Sequence, residues 1–188
     1  FVLCTLGRVG DRWVLSPQSK GAGVQMSAVR ANAYLRVPQA SEGFDAGDEV
    51  DAHLMVTAAE AAEALLVTGS HDPVIDYLAD LIRPQGITLL STHVGSMGGI
   101  LALKKDECHA APTHLLSDDG GYNTAFIRKY LPGTGVDLLC IAGRQQGIVS
   151  RDGIGFSKLP GRSFINRQKG SGTRILLDFE LKKAGIDP

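Results

Sequence analysis

The chain has 188 residues, 44% hydrophobic and 21% charged, with a formal net charge of −1. That length holds one ordinary domain or two small ones with a sizeable core, and the near-neutral balance argues against a general nucleic-acid binder. No apolar run approaches the ~18 residues of a membrane span, so neither nucleic acid nor membrane is an expected partner.

The first ~56 residues are short β-like pieces separated by Gly, Pro and Ser. FVLCTL, RWVLS, YLRVP and DEVDAHLMV read as four strands, and the last alternates Val50, Ala52, Leu54 and Val56 with Asp51, His53 and Met55. Phe44 to Asp48 forms a tight turn before it. This is a small all-β unit. The Ala/Glu-rich residues 58–64 read as a helical link.

Beyond it the texture changes to strand, turn, helix, repeated. ALLVTG is a strand. HDPVIDYLADLIRPQG is a helix with Asp72 as N-cap, Pro73 at the first helical position and Pro84 and Gly86 at its end. Its apolar face is Val74, Leu78 and Leu81 with Ile75 and Ile82. ITLLSTHV, the helix GSMGGILALKKDE, the strand-like CHAAPTHLL and the helix GGYNTAFIRKYLPG follow. VDLLCIAG, QQGIVSR and RSFINRQ read as further strands. GTRILLDFELKKAG is a last helix, with Gly185 at its C-terminal cap. Strands alternating with helices predict a parallel-rich sheet flanked by helices.

Charge is uneven along the chain. Residues 37–82 carry ten acidic residues and no Lys or Arg, whereas residues 144–174 carry seven basic residues and one acid, Asp152. The basic segment suits a small anion, although two solvated surfaces would read the same way. Cys4, Cys108 and Cys140 are odd in number and without a CxxC pair, which argues against a zinc site or disulfide framework and for a reduced, cytoplasmic location. Cys140 reads as inert core. The chain begins Phe1-Val2-Leu3, without Met or a basic leader, so it is expected to be a fragment of a longer protein.

Ligands of parallel α/β sheets bind beyond the carboxyl ends of strands, where helices begin with free N–H groups. Four such places occur: 68–72, 93–98, 117–122 and 170–174. Three set Ser beside Gly. Ser before a helix is also ordinary capping chemistry, so each alone is weak. None is a nucleotide motif. A Walker A loop needs Gly-Lys followed by Ser or Thr, and here Lys169 precedes Gly170; GSMGGI does not fit GxGxxG. His71, His93, His109 and His114 all fall near strand ends, but no metal-ligand spacing and no GxSxG elbow occur. Asp118-Asp119 reads as a polar turn, and Tyr122 and Tyr130 as packing residues. No metal site and no catalytic constellation is expected.

Residues 58–188 resemble the type-2 periplasmic-binding-protein fold, including its LysR substrate-binding-like relatives, in the variant found with cytoplasmic molybdenum cofactor biosynthesis. The resemblance is carried by VTGSHDPVIDYLADLI, by STHVGSMGGILALKKDECHAAPTHLLSDDGGYNTAFIRKYLPG and, most specifically, by FINRQKGSGTRILLDFELKKAGI. It implies two α/β lobes closing over an oxyanion, with contacts from Ser70, His71, Gly95, Ser96, the stretch from Thr113 to Tyr122, and Ser171, Gly172, Thr173 and Arg174. Ser171 and Thr173 would face Ser70 and Ser96 across a cleft.

Residues 1–57 resemble the C-terminal β-barrel domain of the molybdopterin molybdenumtransferase (MoeA) family, through SPQSKGAGVQMSAVRANAYLRVPQASEGFDAGDEVDAHLM. The expected fold class is therefore α/β: a small N-terminal β-barrel, 1–57, then a periplasmic-binding-protein-like α/β domain, 58–188. The first lobe would be about 62–140 and the start of an incomplete second lobe about 141–188. An incomplete lobe leaves an unpaired sheet edge, which implies a homo-oligomer. The expected function is the C-terminal part of a molybdopterin biosynthesis protein, not catalytic by itself. It would bind molybdate, tungstate or a phosphate-bearing pterin such as molybdopterin as a small anionic ligand. A scaffold portion without its own ligand, or an effector-sensing domain of a regulator, are the alternatives.

Overall fold

The structure, a computed structural model, describes residues 1–18, 25–168 and 170–187. Residues 19–24, which hold part of the MoeA-like match, and Lys169 of the Gly-Ser-Gly-Thr run lie outside the described residues. The chain divides into two compact units, Phe1–Thr113 and His114–Pro188.

The first unit opens with a four-stranded antiparallel sheet of β1 (Val2–Val9), β2 (Arg12–Pro17), β3 (Ala33–Leu35) and β4 (Ala52–Leu54), in the order β2–β1–β3–β4. Gly10, at φ 59°, turns β1 into β2. A helix unmarked in the sequence reading, α1 (Gln25–Arg30), precedes β3. The expected barrel is instead an open sheet, because the terminal strands β2 and β4 are not paired with each other. Closing a barrel requires every strand to find two partners, and β3 and β4 are three residues each. The alternation across β4 is likewise not matched by burial, since Leu54 and Val56 are exposed.

One side chain completes this sheet. At Leu6 the β3 ladder has ended, and the buried Asn32 amide replaces it. Leu6 N–H donates to Asn32 Oδ1 at 2.7 Å, and Asn32 Nδ2 donates to the Leu6 carbonyl at 2.8 Å. Asn32 thus acts as one residue of a missing strand. Its own backbone is also used: its N–H donates to the Cys4 carbonyl and its carbonyl accepts from Met55 N–H.

A capped turn of helix, α2 (Ala58–Ala62), links onward. Thr57 and Glu60 form a reciprocal capping box there. Then β5 (Leu65–Gly69) pairs in parallel with β6 (Leu89–His93), in register Leu65↔Leu89 through Gly69↔His93. Between them runs α3 (Pro73–Ile82), with Asp72 accepting from Val74 N–H as N-cap and Pro73 first, as expected; a 3-10 turn and Gly86 at φ 80° end it. α3 buries Ile75, while Leu78 and Leu81 of the expected apolar face stay exposed. β6 is followed by α4 (Gly95–Lys104). The core joins both sheets: Ala64, Leu66, Leu90, Ala102 and Cys108 pack with Val9 and Val14 of the antiparallel sheet. Burial pushes the Cys108 thiol up to about 11, which leaves it a packing group at neutral pH.

CHAAPTHLL contributes one parallel bridge, Val67↔Ala110, rather than a strand. His109 has a structural role here. Leu66 N–H donates to its Nδ1 at 2.9 Å, so Nε2 carries the proton and donates to the Arg8 carbonyl at 3.1 Å.

The second unit holds α5 (Thr124–Tyr130) and α6 (Gly172–Lys183). Gly185, at φ 71°, follows α6, and N–H bonds from Gly185 to Lys182 and from Ile186 to Leu181 close its last turn. VDLLCIAG, QQGIVSR and RSFINRQ do not form strands among the described residues. Their apolar side chains are uncovered: Leu139 is 76% exposed, Val149 98% and Ile165 100%. A strand exists only through hydrogen bonds to a neighbour, and these segments belong to neither described sheet. Cys140, expected in the core, is therefore exposed.

Candidate functional site

The predicted site residues fall into two groups, one in each unit. In the first unit, Ser70, His71, Gly95 and Ser96 sit just beyond the carboxyl ends of the parallel pair β5–β6. The Ser70 N–H is not free for a ligand, because it donates to the Pro112 carbonyl at 2.9 Å. That bond lays Pro112 and the half-buried Thr113 alongside the strand end. Gly69 makes this possible: a Cβ there would lie 2.6 Å from the Pro112 carbonyl oxygen.

His71 and His93 meet at this edge. Their ring centroids are 4.3 Å apart, with planes tilted by 41°. Desolvation holds His93 below the usual histidine range, reinforced by His71 and Arg30 and opposed by Asp76. Arg30 from α1 pairs with Asp76 of α3 at 3.1 Å. Neither Arg30 nor Asp76 was among the expected site residues. Arg30 lies in the stretch that reads as barrel, and Asp76 in the helix read from HDPVIDYLADLIRPQG. Only the packing of α1 against β1 and of α3 against β6 brings them to His93.

α4 begins directly after this pair. Gly95 opens it at φ 78°, a conformation suited to glycine. Its N-cap, Val94, makes no side-chain cap, and its first turn contains no acidic residue. α3 and α6, by contrast, are capped by Asp72 and Ser171. The first N–H groups of α4 lack intrahelical partners, and the helix dipole adds positive potential there. Ser96 sits buried in that first turn.

In the second unit, Ser171 is the N-cap of α6, its Oγ accepting from Arg174 N–H at 3.3 Å. Arg174 Nε donates to both carboxylate oxygens of Asp178, at 2.6 and 2.8 Å. Both side chains therefore already have structural work. Ser171→Ala is expected to lower stability by about 1 kcal/mol, the usual worth of an N-cap, read as a drop in thermal midpoint. Thr173 is exposed, and Gly172 lies against His114: a Cβ on Gly172 would be 2.6 Å from His114 Nε2. Arg174 also borders an open groove of about 360 Å³ with Arg162, Asn166 and Leu177.

Tyr122 is exposed and bridges to Leu116. The turn before it closes on itself. Ser117 Oγ donates to the Gly121 carbonyl at 2.7 Å and to Asp119, and Gly121 N–H donates to Asp119 Oδ1 at 2.9 Å. The Ser117 hydroxyl, then the Gly121 N–H, hold the Asp119 carboxyl below its usual range. Asp119 is thus a turn residue, as the sequence reading expects.

A parallel strand pair followed by helices, beside an antiparallel sheet, places the molecule among mixed α/β proteins. The chain belongs to the PBP superfamily: residues 79–188 match its domain. Residues 1–55 match the MoeA C-terminal region (domain IV), a region related to molybdenum cofactor biosynthesis. The chain is similar to "Uncharacterized protein YvgK" of Bacillus subtilis (strain 168), at 29% identity over 109 residues, 54% of this chain. It spans 35% of the length of that relative. No solved structure matches.

Proposed function

We propose that the chain is part of a molybdenum cofactor biosynthesis protein and that its PBP-like region binds a small oxyanion. Molybdate, tungstate or a phosphate-bearing pterin are the ligands this reading names. The observation that carries it is the order of the two families in one chain, MoeA C-terminal region then PBP superfamily domain. The β5–β6 edge supports the anion. The uncapped start of α4 and Arg30 bring positive potential, and two imidazole rings bring hydrogen-bonding nitrogens, to one place. The chain binds rather than catalyses, and it works as a cytoplasmic oligomer.

Titration calorimetry of the full chain with molybdate, tungstate, sulfate and phosphate tests this. Saturable heat with at least one is expected. Ser96→Ala should weaken that binding by a few-fold to about tenfold, about 1 kcal/mol for one hydrogen bond. No heat with any of the four, nor with molybdopterin, leaves the scaffold reading in its place. The groups already committed in α6, Ser171 and Arg174, favour that outcome for the second unit.

A further inference from the structure

We infer that residues 1–113 fold and unfold as one cooperative body, in which the segment between the two family matches is a shared central strand rather than a linker. The matches end at residue 55 and resume at residue 79, so a hinge between two separable modules would fall at 56–78. The inference stands apart from the oxyanion reading and holds equally for an edge that binds nothing.

β5 carries the argument. It belongs to neither match, yet both regions pack on it. From the PBP-like side, β6 pairs with it along its whole length, and Ala110 bridges to Val67. From the MoeA-like side, β1 lies so close that a Cβ on Gly7 would be 2.8 Å from Leu66 Cγ. Val9 and Val14 pack against the core around Leu66, Leu90 and Cys108. Parallel strands need their faces covered, and the β1–β2 hairpin supplies part of that cover.

Polar links cross the same boundary. The hydroxyls of Thr5 and Thr92 lie 3.3 Å apart, and Gln18 Nε2 donates to Thr92 Oγ1 at 3.2 Å. Thr5 and Gln18 are both buried. Arg12 Nη2 donates to the Lys105 carbonyl at 2.8 Å and to the Asp106 carbonyl at 3.3 Å, so a β2 side chain caps the C-terminal end of α4. His109 ties Leu66 to Arg8, and Arg30 pairs with Asp76. Pulling the regions apart would uncover the core and leave buried donors and acceptors without partners.

Neither part is built to stand alone. β5–β6 is a two-stranded pair, which is at best marginal without further packing. The MoeA-like match spans residues 1–55, and a chain of that size buries a marginal core by itself. A ligand held anywhere in 1–113 would therefore stabilise both regions together by mass action.

The test is urea unfolding of the full chain, read in two ways. Trp13, the single tryptophan, reports on β2 by fluorescence, and hydrogen exchange reports on the β1, β5 and β6 amides. The two readouts should give one midpoint. Leu90→Ala, a truncation in β6 at a site 7% exposed, should lower the Trp13 midpoint and speed β1 and β5 exchange alike, by about 30-fold or more. Val14→Ala in β2 is the milder, reciprocal variant, and should speed β5 and β6 exchange as it lowers the Trp13 midpoint. It carries the test if Leu90→Ala does not fold. Separate transitions for Trp13 and for the β5 and β6 amides overturn the inference. So does a Trp13 midpoint unmoved by Leu90→Ala, or β5 and β6 exchange unmoved by Val14→Ala.

Discussion

Asn32→Ala should lower the unfolding free energy by roughly 2–5 kcal/mol, because it strands two buried backbone groups at once. Leu6 N–H and the Leu6 carbonyl are each satisfied by the Asn32 amide, at 2.7 and 2.8 Å, and Asn32 is 6% exposed. No strand stands ready to take over, since the β1–β3 register ends at Cys4↔Ala33. An unmade hydrogen bond in such a place costs about 1–3 kcal/mol, more than a made one contributes. Against a typical total of about 5–15 kcal/mol, the loss is large. Urea unfolding reads it as a fall in midpoint with an unchanged slope. Asn32→Asp is the informative companion. It keeps an acceptor for Leu6 N–H but turns a carboxylate oxygen toward the Leu6 carbonyl, so it should destabilise too. A shift below about 0.5 kcal/mol for both, the size of ordinary surface substitutions, would mean that the amide does not replace a strand.

Gly99→Ala is expected to lower stability by about 1–3 kcal/mol as an overpacked core contact. A Cβ there would lie 2.6 Å from the Thr68 carbonyl oxygen and 2.8 Å from Gly69 Cα, both backbone atoms of β5. They cannot swing aside, so α4 must move away from the strand end. The gain in helix propensity, up to about 1 kcal/mol for Gly to Ala, offsets only part of this. Gly98→Ala is the control. Its Cβ meets only the exposed Val94 side chain, 2.7 Å from Cγ2 and 3.0 Å from Cβ; rotation clears the first, and the gain in helix propensity offsets the small shift the second needs. Gly98→Ala should therefore be near neutral. Because the start of α4 is part of the β5–β6 edge, Gly99→Ala should also weaken oxyanion binding, measured by the same calorimetry. Equal unfolding midpoints for the two variants would sink the close-approach account.

The two glycines show what reading along the chain can and cannot reach. Gly98 and Gly99 are adjacent and chemically identical, and in GSMGGI they look interchangeable. Only the approach of α4 to β5 separates them. His109 is similar: along the chain it is one more histidine near a strand end, and in the fold it ties Leu66 N–H to the Arg8 carbonyl.

Local chemistry alone determined a good deal of this protein. Asp72-Pro73 at the start of α3, Ser171 at the start of α6 and Gly185 after its end act as their residue types dictate, because caps depend on atoms within a few residues. The change from β pieces to strand–helix alternation, and the order MoeA C-terminal region then PBP superfamily domain, were legible for the same reason: period and motif are properties of the chain itself. Tertiary structure alone decided the rest. Whether VDLLCIAG becomes a strand depends on a neighbour to hydrogen-bond it, and whether four strands close a barrel depends on β2 and β4 meeting. The gathering of Arg30, Asp76, His71 and His93 is also a tertiary outcome. These residues span two sequence textures, and no local rule joins α1, α3 and the ends of β5 and β6. Hydrogen bonds between strands and electrostatic contacts act through space, so they are settled only when the packed chain sets which residues face each other.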